Sequence, residues 1–193
     1  MSKIKAIIFD CFGVLTTDSW QSFRDEFCDT DEQFYQAKLL DNAANNKSIS
    51  YDTLIEELAK LVNVDRARIA ELFNSRNNAN LKLFEYIRDE LKPKFSIGML
   101  SNAAENWLNE MFEDWQVALF DSVVLSCDLG VVKPAPGMYQ AICDKLGLSP
   151  DECVFIDDVE AYCRVAEDLG MKSVVYTGFE DLKTRLSEII EQS

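Results

Sequence analysis

Two rhythms of apolar residues run along the chain. Short runs rich in Ile, Val and Phe recur at Ile4 to Phe9, Phe95 to Leu100, Ser122 to Leu125, Val154 to Ile156 and Ser173 to Tyr176, each the length of a buried strand. Between the later runs the apolar positions take helical spacing, over Ala104 to Phe112, Pro136 to Leu146, Val159 to Leu169 and Asp181 to Ile190. Pro136 is placed to open a helix, and Gly147 and Gly170 to stop one. Alternating strand and helix predict an α/β fold, a parallel sheet with helices on both faces.

The stretch from Thr17 to Asn78 breaks this alternation. It holds no convincing strand but several helical patterns, Trp20 to Phe27, Asp31 to Leu40, Tyr51 to Leu61 and Asp65 to Phe73, with a polar break from Asp41 to Ser50. The prediction is a small all-helical insertion after the first strand, residues 17–78, on a core made of 1–16 and 79–193. Trp20, Phe23 and Phe34 are expected to pack that insertion, and Trp107, Trp115, Phe120 and Phe155 to pack the sheet.

In open α/β sheets the functional crevice lies beyond the carboxyl ends of the strands, so the residues just past each strand matter most. Asp10 comes after the first and Ser101-Asn102 after the second; the loop Cys127 to Pro136, with Lys133, comes after the third; Asp157-Asp158 comes after the fourth. Four strand ends thus carry four groups capable of chemistry.

Composition narrows that chemistry. A chain of 193 residues, 48% of them hydrophobic, can bury a full core and carry an accessory lobe. Nineteen basic against 34 acidic residues give a net charge of −15, which repels nucleic-acid phosphates and anionic headgroups and predicts neither nucleic-acid nor membrane partners. The apolar segment after Lys5 ends at Asp10, too short for a signal or a membrane span, so a cytoplasmic location is expected. Six scattered cysteines without a C-x-x-C pair predict reduced thiols. Histidine is absent, which removes Ser-His-Asp and Cys-His catalysis and any histidine-ligated zinc.

Carboxylates, lysine, hydroxyls and a metal therefore remain. Asp10 stands where an apolar strand meets the glycine-bearing turn Cys11-Phe12-Gly13 and can attack, bind metal or cap a turn. Asp157 and Asp158 would repel each other in a partly desolvated crevice unless a cation offset them, and magnesium, which takes oxygen ligands, suits that task. Asp158 could instead cap the following helix. Lys133 lies on a stiff loop between Val132 and Pro134 rather than on a helix face.

This pattern resembles the haloacid dehalogenase-like (HAD) hydrolase superfamily. Its first motif, an apolar strand followed by D-x-D-G-[TV], reads here Asp10-Cys11-Phe12-Gly13-Val14; Ser101, Lys133 and Asp157-Asp158 match the other three, over residues 4 to 176. The resemblance implies a Rossmann-like core and a phosphatase-type hydrolase acting on a small phosphorylated metabolite through an aspartyl-phosphate on Asp10. It further implies magnesium held by Asp10, the Phe12 carbonyl, Asp158 and Asp157. Catalysis would rest on Asp10 and Lys133, substrate binding on Ser101 and Asn102, and the insertion would act as a cap domain.

One position departs from the family pattern. Phosphatases of this kind carry a second aspartate two residues after the nucleophile, which protonates the leaving group and then activates water; here it is Phe12. Three readings stay open. The protein is a phosphatase for a good leaving group, or one that borrows another acid such as Asp18 or Tyr162. It is a weakly catalytic or non-catalytic binding protein, in keeping with Tyr162 standing where many relatives are polar. Or it is a 2-haloacid dehalogenase, whose relatives place an aromatic residue at this position but lack the acidic pair.

Overall fold

A computed structural model of the chain describes residues 3–75, 78–105 and 107–193. Met1 and Ser2 of the expected core, Arg76 and Asn77 of the expected insertion and Asn106 of the expected helix Ala104 to Phe112 lie outside the described residues.

Five strands, β1 (Ala6–Phe9), β2 (Ser96–Ser101), β3 (Ser122–Leu125), β4 (Cys153–Asp157) and β5 (Lys172–Val175), form one sheet in the order β3-β2-β1-β4-β5. Every pairing is parallel. Strand side chains alternate between faces, and β1 shows the result: Ile7 and Phe9 enter one core cluster while Ala6 and Ile8 enter the other. Burial on both faces is why the runs read as continuously apolar.

Eleven α-helices are described. The first four, α1 (Ser19–Phe27), α2 (Asp31–Asn45), α3 (Tyr51–Val62) and α4 (Arg66–Ser75), follow β1 and build a helical lobe. Asp18, Thr30 and Ser50 cap the first three, their side chains accepting from the N–H of Trp20, Gln33 and Thr53. Their apolar faces make a separate cluster around Phe23, Leu54, Ile55, Leu58 and Ile69, with Trp20 and Phe34 packed against it. The two segments of chain entering and leaving this lobe run together: Thr16 bridges Ala79, and the Asn80 N–H donates to the Leu15 carbonyl at 2.8 Å.

The remaining helices are α5 (Leu81–Tyr86), which runs on as a π-helical turn over Ile87–Leu91, then α6 (Leu108–Met111), α7 (Asp114–Val117), α8 (Ser126–Leu129), α9 (Pro136–Leu146), α10 (Glu160–Asp168) and α11 (Phe179–Glu191). Two expectations need correction. The break expected from Asp41 does not begin there: α2 continues to Asn45, because Asp41, Ala44 and Asn45 are buried and Asp41 is neutralised by Lys38 at 2.6 Å and bonded by Asn45 at 2.9 Å. The helix expected over Ala104 to Phe112 is only α6, since Ala103 is tied by its N–H to the Ser126 hydroxyl and Ala104 packs on the lobe. All six cysteines are free thiols, and among the described residues no helix is long and apolar enough to cross a membrane.

Candidate active site

The sheet order reverses direction between β1 and β4, the switch point where ligands of open α/β sheets bind. Phe9 is in register with Ile156, and the Asp10 N–H donates to the Ile156 carbonyl at 2.8 Å. The next side chains along both strands, Asp10 and Asp157, therefore meet at the sheet's carboxyl edge.

Lys133 joins them. Its Nζ lies 2.7 Å from Asp10 Oδ1 and 2.6 Å from Asp157 Oδ2, and all three residues are buried, Lys133 at 2% exposure, Asp10 at 7% and Asp157 at 0%. The backbone that carries Lys133 is fixed from β2: its N–H donates to Asn102 Oδ1 at 2.7 Å, and Asn102 Nδ2 donates to its carbonyl at 3.2 Å. The Lys133–Pro134 peptide is cis. The Tyr162 and Phe155 rings flank the ammonium at 5.2 and 5.5 Å.

Each carboxylate has further restraints. Asp10 Oδ1 accepts from the Cys11 N–H at 2.6 Å and Asp157 Oδ1 from the Val159 N–H at 2.8 Å. Asp158 is exposed, and the helix it could have capped takes Val159 as its N-cap with no side-chain bond, so the Asp158 carboxylate is not spent there. Carboxylate oxygens of Asp10, Asp157 and Asp158 lie within 4.8 Å of one another. Gly13 makes room for this: its φ is +83°, and a Cβ there would collide with the Asp158 carboxylate.

The charges are unbalanced. Two carboxylates contact the one ammonium and a third lies beside them, which leaves two formal negative charges at the strand ends. Burial, with the charges of Asp157 and Asp158 adding to it, raises the Asp10 carboxyl well above the usual aspartate range against the pull of Lys133. Asp158 is pushed up to about 6, by desolvation first and then by Asp157 and Asp18. Burial works against the Lys133 ammonium, but the two carboxylates beside it outweigh that and raise its pKa.

Above these residues lies a cleft of about 580 Å³. Asp10, Phe12, Asn102, Lys133 and Asp158 line its floor, and the helical lobe contributes Trp20, Lys38, Asp41, Asn42 and Tyr51. Ser101 is fully buried and does not line it; its hydroxyl makes a 3.4 Å contact to the Asn102 carbonyl. Both ends of the Asn102 side chain are engaged by the Lys133 backbone. Asp18 caps α1. Phe12 meets the Trp107 ring edge-on, centroids 5.0 Å apart, and Trp107, expected only as sheet packing, also lines the cleft.

Two features of the site escaped the sequence. Ser126 Oγ is buried between lobe and core, 2.7 Å from the Asn45 carbonyl and 3.1 Å from that of Ala103, and it accepts from the Ala103 N–H at 2.9 Å. Lys38 sits 4.3 Å over the Trp20 ring while paired with Asp41 on the lobe's cleft face. A serine directly after a strand was the only available signal for the first.

Known proteins resemble this chain over nearly its whole length. The family model for haloacid dehalogenase-like hydrolases matches residues 4–170. Bifunctional epoxide hydrolase 2 of Sus scrofa is 27% identical over 195 residues, covering 92% of this chain but only 28% of that longer protein. YhcW of Bacillus subtilis (strain 168), which carries a provisional phosphatase name, is 28% identical over 210 residues, covering 97% of this chain and 93% of its own. A HAD family enzyme from Bacteroides thetaiotaomicron, solved as a magnesium complex, superposes with a TM-score of 0.75 at 23% identity, covering 96% of this chain and 99% of that one.

Proposed function

Because the chain belongs to the haloacid dehalogenase-like hydrolase family, we propose that it is a magnesium-dependent phosphatase that hydrolyses a small phosphorylated metabolite through a phosphoryl group carried on Asp10. The observation that carries this reading is the buried Lys133 ammonium shared between Asp10 and Asp157, with Asp158 beside them.

The donor set fits magnesium. Its side-chain donors are all carboxylates, and their two unmatched negative charges equal the charge of one divalent cation. Asp10, Asp157, Asp158 and the backbone carbonyl of Phe12 would hold the ion. When bound, it would draw charge from the phosphoryl oxygens and shield Asp10 from their repulsion.

The chain's own residues supply the rest. Asp10, its Oδ1 anchored by Lys133 and the Cys11 N–H, presents Oδ2 as the attacking atom. Lys133 holds that carboxylate in place and offers positive charge to the transferring group. Asn102 acts as a positioning residue for Lys133. The lobe of residues 17–78 closes the cleft as a cap, selecting substrate and limiting water.

Magnesium-dependent release of phosphate from p-nitrophenyl phosphate, lost in Asp10→Asn, is the expected result. Absence of turnover above buffer, with folded protein and magnesium present, would sink the proposal. Phe12 favours one second reading, a 2-haloacid dehalogenase; halide release from 2-chloropropionate without added metal would establish it.

A further inference from the structure

The wall of the cleft beside Asp10 is aromatic where a phosphatase of this kind would place an acid. Phe12 stands two residues after the nucleophile and packs on Trp107 at 5.0 Å. Across the cleft, Trp20 packs edge-on against Phe73, also at 5.0 Å, and Tyr51 and Tyr162 complete six aromatic side chains lining one cavity.

Three of the carboxylates that share the cleft already have partners. Asp18 accepts from the Trp20 N–H, Asp41 is bonded by Lys38 and Asn45, and Asp158 belongs to the carboxylate cluster. Burial raises the Tyr162 phenol, and its ring faces the Lys133 ammonium. Glu105 and Glu110 line the cleft from exposed positions.

An alcohol leaving group departs as an anion about as basic as hydroxide; a phenolate, whose conjugate acid has a pKa of about 10, leaves without help far more readily. Resting on the phosphatase reading, we propose that the substrate is an aryl phosphate or close equivalent, whose leaving oxygen departs as a weakly basic phenolate-type anion and whose aromatic body rests on Phe12, Trp107 and Trp20. An Asp10 oxygen forms a bond to phosphorus while the bond from phosphorus to the leaving oxygen breaks, and the electron pair leaves with that oxygen, unprotonated. Water then adds at phosphorus, the Asp10–phosphorus bond breaks to return the carboxylate, and the proton of water passes to solvent. Phe12 also deprives this second step of a base, so the phosphorylated enzyme accumulates.

The test compares p-nitrophenyl, phenyl and benzyl phosphate with magnesium, the last keeping the ring while making the leaving group an alcohol. From phenyl to benzyl phosphate, kcat/KM falls by at least about 100-fold, the low end of what general acid catalysis supplies. Phe12→Asp narrows that gap at least tenfold, whereas Phe12→Leu, which adds no acid, preserves it. p-Nitrophenyl phosphate gives a burst of nitrophenol close to the enzyme concentration. Comparable kcat/KM for phenyl and benzyl phosphate in the unaltered enzyme overturns the inference while leaving the phosphatase reading intact. No magnesium-dependent turnover of any of the three overturns both.

Discussion

Replacing Asp158 by asparagine keeps the side chain's shape and removes one of three crowded negative charges. Desolvation and Asp157 push the Asp158 carboxyl up to about 6, roughly two pH units above an ordinary aspartate. At about 1.4 kcal/mol per pH unit that is a ceiling near 3 kcal/mol, and because Asp158 is exposed to solvent, screening reduces the penalty to about 1 kcal/mol. A carboxyl whose pKa is raised on folding exacts that penalty only when ionised, fully above pH 6 and not at all below its unfolded pKa near 4. Asp158→Asn in chelator at pH 7.5 should therefore melt about 2–4 °C higher than the unaltered protein, and the advantage should fade as the pH falls from 6 to 4. Magnesium should reverse the order. An ion at one hundred times its Kd stabilises by about 2.7 kcal/mol, and the variant, lacking a ligand, should gain much less. Thermal melts in EDTA and in magnesium at pH 7.5 and 4.5 decide the matter. A variant less stable than the parent in EDTA at pH 7.5, or equally stabilised by magnesium, would refute the reasoning.

Other substitutions probe the remaining supports. Lys133→Met leaves Asp10 and Asp157 buried without their shared cation and should destabilise by about 3–5 kcal/mol. Removing the ammonium raises the Asp10 carboxyl further, so denaturant titrations at pH 8 and 5 should show the larger loss at pH 8. Gly13→Ala drives a Cβ against Asp158 at a φ of +83° and should cost about 1–3 kcal/mol by the same melts, with weaker magnesium stabilisation. Ser126→Ala strands the buried Ala103 N–H and unties the lobe; a loss of about 1–3 kcal/mol in denaturant unfolding is expected.

The strand ends were legible because burial on both faces writes continuous apolar runs, and because a charged residue ending such a run has no packing reason to be there. Asp10 and Asp157 are of that kind. That Lys133 reaches both depends on Asn102 clamping its backbone from another strand, a contact between residues 31 apart that periodicity does not encode. The extension of α2 was hidden for a related reason: Asp41 and Asn45 read as a polar break, yet they are buried because Lys38 and each other satisfy them. Leu83, Phe84, Ile87 and Leu91 do carry helical spacing, so α5 and its π-helical continuation were within reach of the same reasoning. Asp158 could be read as a cap or a ligand, and only the observed N-cap of α10 at Val159 frees it from capping.

The central claim, Asp10 as the nucleophile of a phosphatase, is tested most directly by acid-quenching the protein during turnover of p-nitrophenyl phosphate with magnesium and mapping the phosphoryl group by mass spectrometry. One phosphoryl group on the peptide containing Asp10, absent in Asp10→Asn, is the predicted result. Turnover with no phosphorylated protein, or with the label on another residue, would contradict it.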